Sequence, residues 1–93
     1  MILMNETEFV AHALTDYLSA YSDRSFVTAI HQTITAGEAG SAIGIALGFA
    51  ASESIPLPSL IREKIDLLTQ LSHKDREWIA ESLRLIPVTE LAA

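Results

Sequence analysis

The sequence predicts an all-α fold, a compact bundle of four or five short helices around a Gly/Ala-rich central helix. Three observations carry that expectation. Apolar residues recur at helical spacing in separate stretches along the 93 residues. Helix-start signatures precede those stretches, with Asn5 three residues before Glu8 and Ser72 three before Asp75. Only one segment alternates with a period of two, and a lone strand has nothing to pair with.

The first helix is expected to begin at Asn5, whose side chain can accept backbone N–H bonds while Glu8 complements the first turn. Its apolar positions form two neighbouring rows, Phe9, Ala13, Tyr17 and Tyr21 beside Val10, Leu14 and Leu18. Glu8, His12, Thr15, Asp16 and Ser19 are left for the polar side. Ser22 or Asp23 can cap a second helix through Phe26, Val27, Ile30 and Ile34, and Gly37 offers a left-handed stop. Thr28, Thr33, Ile34 and Thr35 weaken its propensity, so tertiary packing must hold it.

The third segment, GSAIGIALGFAA from Gly40 to Ala51, places glycines at 40, 44 and 48 and alanines at 42, 46 and 50. Residues four apart share a helix face, so these small side chains would make two smooth ridges along which another backbone passes closely. In helical form Ile43 and Leu47 lie on one side and Ile45 and Phe49 on the other, which predicts burial nearly all round. Ser52 to Pro58 reads as a connector, because Pro56 and Pro58 hold their predecessors extended and lack an N–H. A fourth helix is expected from Pro58 or Ser59 through Leu71, with Arg62 and Asp66 on its exposed side. The fifth runs from Ser72 through Trp78, Ile79, Ser82, Leu83 and Ile86 until Pro87 ends it.

Composition narrows the function. The formal charge of −6 is uneven: residues 1–58 carry six acids against Arg24 alone, and residues 59–93 carry six acids against five bases. An acidic first half repels phosphate backbones and argues against broad nucleic-acid binding. The absence of cysteine rules out disulfides and thiolate zinc sites. The apolar run 39–51 is short of the roughly 20 residues that span a bilayer, and Glu38 and Glu53 bracket it.

No residue set carries recognisable catalysis or metal binding. His12 and Asp16 stand four apart but lack a third ligand or a nucleophile, so they read as a solvated face. His31 and His73 are read as isolated side chains. No Gly-x-Ser-x-Gly elbow occurs, and the first-turn carboxylates Glu6, Glu8, Asp75 and Glu77 complement helix dipoles.

The expectation is therefore a single helical domain over residues 1–93, with 1–4 and 88–93 fraying, that is not an enzyme and takes no cofactor or metal. It would act in the cytoplasm as a protein–protein interaction module, a small bacterial or phage-type regulator or adaptor that forms a homo-oligomer and engages a protein partner. Helices one, three and four present wide apolar faces, and a chain this small has little interior to hide them. Tyr17, Tyr21, Gly40, Gly44, Gly48 and Trp78 are the expected interaction residues. Two alternatives remain. One is a DNA-binding regulator with a degenerate helix-turn-helix, which SESIPLPS fits poorly because it offers two prolines and no base-reading side chain. The other is membrane association through 39–51.

Overall fold

The structure, a computed structural model, describes residues 5–89. Five helices and two short strands follow one another as α1 (Glu6–Leu18), α2 (Arg24–Thr35), α3 (Ala39–Ser52), β1 (Leu57–Pro58), α4 (Ser59–Asp66), α5 (His73–Leu85) and β2 (Val88–Thr89). The all-α bundle predicted from periodicity is the fold observed.

Capping chemistry sets the helix starts. The Asn5 side-chain oxygen accepts from the Glu8 N–H at 2.8 Å, and Ser72 Oγ accepts from the Asp75 N–H at 3.0 Å. Asp23, not Ser22, caps α2 by accepting from the Phe26 N–H at 2.9 Å and the Ser25 hydroxyl at 2.8 Å. The Phe26 N–H, followed by the Ser25 hydroxyl, holds the Asp23 carboxyl below its ordinary range.

Two helices end in the same way. After α2, Gly37 adopts φ 88° while its N–H donates to Ile34 O and the Glu38 N–H reaches back to Thr33 O. After α3, Ser54 takes the left-handed position at φ 54°, its N–H donates to Ala51 O, and the Ile55 N–H donates to Ala50 O. Both are Schellman motifs, and the second buries Ile55 as its hydrophobic clasp.

The Gly/Ala segment is helical and central. α3 packs against α1, α2 and α5, and Ala42, Ile43, Ala46, Leu47 and Ala50 are fully enclosed. Small side chains let three helices approach one axis, while Ile43 and Leu47 fill the space between them. Burial is less complete than the sequence suggests, because Ile45 reaches solvent and Phe49 is half-buried against Phe26 with ring centroids 4.5 Å apart.

Four expectations need correction. Thr15 is 1% exposed, not on the polar side, because its hydroxyl donates to Ala11 O at 2.7 Å and so enters the core already satisfied. The fourth helix stops at Asp66 instead of running to Leu71; Leu68 turns into the core and the chain reverses toward α5. Arg62 is not a solvated partner of Asp66: its Nη2 donates to Leu83 O at 2.8 Å, gripping the last turn of α5. Finally, Val88 and Thr89, placed in the fraying end, form a two-residue parallel ladder with Leu57 and Pro58. Residues 1–4 and 90–93, also expected to fray, lie outside the described residues.

Candidate functional site

α1 carries two apolar rows and the core uses only one. Val10, Leu14 and Leu18, joined by Thr7, Ala11 and Thr15, face α2, α3 and α4. The row of Phe9, Ala13 and Tyr21 is left outside, with Phe9 62% exposed. α4 contributes Leu60, 64% exposed, because the two prolines before it and the β1–β2 pairing set its first turn beside α1. Between them lies a cleft of about 140 Å³ lined by Phe9, Val10, Ala13, Leu60, Ile61 and Lys64. Its walls expose apolar atoms only, so Lys64 lines it with its aliphatic stem.

The expected interaction residues do not form one surface. Tyr17 is half-buried and its hydroxyl donates to Pro56 O, tying α1 to the connector before β1. Burial, followed by the hydrogen bond and charge of Tyr21, pushes the Tyr17 phenol above its ordinary 10.0. Tyr21 is exposed and leans on Tyr17 with centroids 5.6 Å apart.

Gly40, Gly44 and Trp78 belong to the α3–α5 contact. A Cβ built on Gly44 would sit 2.8 Å from Trp78 Cε3, so the indole lies directly on the α3 backbone. At Gly40 the nearest atoms are Asp75 Oδ2 at 2.7 Å and Leu71 Cδ2 at 3.3 Å. Gly48 has nothing within 4 Å and lies outside that contact. Trp78 covers Gly44 yet remains 43% exposed, so one part of the ring serves the interior and another meets solvent.

α5 presents mixed charge outward. His73 Nε2 lies 3.0 Å from Glu77 Oε1, and Arg84 pairs with Glu81. Lys74 and Arg84 share that face with Glu77 and Glu81, so acids interleave with bases. The face lacks the concentrated positive potential that phosphate binding needs.

One pairing had no signal within any single element. His12 of α1 and His31 of α2 bring their rings to a centroid separation of 5.2 Å with planes 29° apart. His12 is half-buried there, not part of a fully solvated face. Among the described residues no group of three or more His, Cys, Asp or Glu side chains converges as a metal site. No helix among them is long and apolar enough to cross a membrane, and segment 39–51 is the buried centre of the bundle.

Comparison with protein-family models, with curated proteins and with solved structures finds no match to this chain.

Proposed function

We propose that this chain is a non-enzymatic protein-interaction module of the cytoplasm, a small regulator or adaptor that works as a homo-oligomer, and that copies meet through the α1–α4 cleft. The observation that carries the reading is the pair Phe9 and Leu60, both more than three-fifths exposed beside an all-apolar cleft. Large side chains held outward in this way gain little within the monomer and about 25 cal/mol for each Å² covered by a second molecule.

A twofold contact suits the patch because the same surface supplies projecting side chains and the cleft to receive them. Charge supports it as well. Glu6 and Glu8 flank Phe9 in the first turn of α1, and Lys64 stands on the cleft rim. Docking Phe9 of one copy toward the cleft of another therefore brings carboxylates to an ammonium. Tyr17 is a weaker candidate than sequence suggested, since its hydroxyl already serves Pro56.

Light scattering beside circular dichroism tests the proposal on the parent and on the double variant Phe9→Glu, Leu60→Glu. The expected outcome is a parent mass above that of one chain, a variant mass equal to one chain, and unchanged helicity, since both positions already face water. A parent that stays monomeric at high concentration overturns the homo-oligomer, and a variant that keeps the parent mass overturns the surface.

A further inference from the structure

With copies meeting through the α1–α4 cleft, as proposed above, we infer that the cleft is a receptor for a single aromatic ring. Phe9 of the second copy fills it, assembly closes at two chains, and small aromatic molecules compete for the same space.

The cleft measures about 140 Å³ and its walls expose apolar atoms only. An apolar cavity of about 150 Å³ stays dry and takes up one benzene molecule, so the space here suits one phenyl ring. The exposed Leu60 side chain is smaller and would leave part of it empty, which forfeits contacts on the unfilled side. Phe9 carries a ring of the right size and is 62% exposed beside the cleft. It cannot fill its own cleft, because it forms part of the wall.

That double role fixes the symmetry. Since Phe9 is both the ring that enters and a wall that receives, the two Phe9 side chains touch when copies meet, and a residue that meets its own counterpart lies beside a twofold axis. Aromatic rings favour each other in such a contact. Ala13, one turn along α1, is exposed and small, which leaves room for the incoming ring. Each copy has then used its cleft and its ring, so a third chain finds neither free.

A free ring compound offers the same apolar surface without the helix. It binds in the millimolar range, because so few atoms make little contact, and at sufficient concentration it holds the cleft against Phe9.

The test titrates benzyl alcohol into the intact chain while amide NMR spectra and light-scattering mass are followed together, with 1-propanol at equal concentration as the control for solvent. Saturable shifts centred on Val10, Ala13 and Ile61 are expected, with the mass falling from two chains to one over the same range. Ala13→Leu fills the cleft from an exposed position and should weaken binding at least about tenfold. The parent titration decides the matter even if that variant disturbs folding. Shifts that do not saturate, or that 1-propanol reproduces, overturn the ring receptor. A mass that grows past two chains, or that stays at two chains while the cleft fills, overturns Phe9 as the occupant and leaves the homo-oligomer standing. A parent that is one chain throughout yet binds benzyl alcohol in the cleft overturns the homo-oligomer and upholds the receptor.

Discussion

Three glycines four residues apart look equivalent in the sequence, yet each meets a different neighbour. At Gly40 a side chain would press on the end of Asp75, which can rotate away. At Gly44 it would press on the body of the Trp78 indole, which cannot bend, and at Gly48 it would enter open space. Alanine in a helix gains about 1 kcal/mol over glycine, while overpacking a tight contact costs about 1–3 kcal/mol. Gly44→Ala should therefore lower stability by about 1 kcal/mol, and Gly48→Ala should raise it by up to about the same amount. Urea unfolding of both variants is the measurement. Equal shifts would mean that Trp78 does not rest on the α3 backbone.

Helix ends show how local chemistry and tertiary demand combine. Gly37 and Ser54 occupy the same left-handed position in two Schellman motifs, but only glycine adopts it without a steric penalty. Ser54 is tolerated because Ile55, the next residue, buries its side chain and anchors the turn. The expected outcome for Ser54→Gly is a gain of about 0.5–1 kcal/mol in thermal or urea unfolding, since relief of the left-handed strain exceeds the added chain entropy. A loss of stability would show that the serine side chain contributes an interaction absent from this turn. α4 gives the complementary case. Its apolar periodicity continues past Asp66, but Leu67 is exposed and Leu68 buried, so the chain has left the helix in order to reverse. Arg62 then spans the corner from α4 to the carbonyl of Leu83.

On the scale of the whole molecule, α3 is the element that the others share. Leu47 is completely enclosed on α3, the helix against which α1, α2 and α5 all pack, so the space it fills closes only if a helix moves. Leu47→Ala should cost about 2–5 kcal/mol and lower Tm by about 10 °C or more. Because one core joins the helices, far-UV circular dichroism and Trp78 fluorescence should report the same transition in that variant. Two separate transitions would mean that α5 and its contact on Gly44 unfold independently of the rest. The same economy of interior explains the outer face. With α3 enclosed on three sides, α1 buries one apolar row and leaves Phe9 and Leu60 beside an open cleft.

What depends on near neighbours along the chain is legible in the residues alone. Asn5, Asp23 and Ser72 cap helices because a side-chain oxygen reaches a backbone N–H three residues on, and Gly37 stops α2 because its backbone admits a positive φ. The helical state of 39–52 was also legible, since one alternating segment could not pair with itself. Tertiary structure decided what depends on distant neighbours: which α1 row enters the core, where α4 breaks, that Val88 and Thr89 find Leu57 and Pro58, and which glycine receives the indole. The meeting of His12 with His31 is of this second kind. Periodicity states that a face is apolar or polar, but which face finds a partner is set by the packing of all helices at once, because buried area is shared among elements and the interior is too small to take every apolar row.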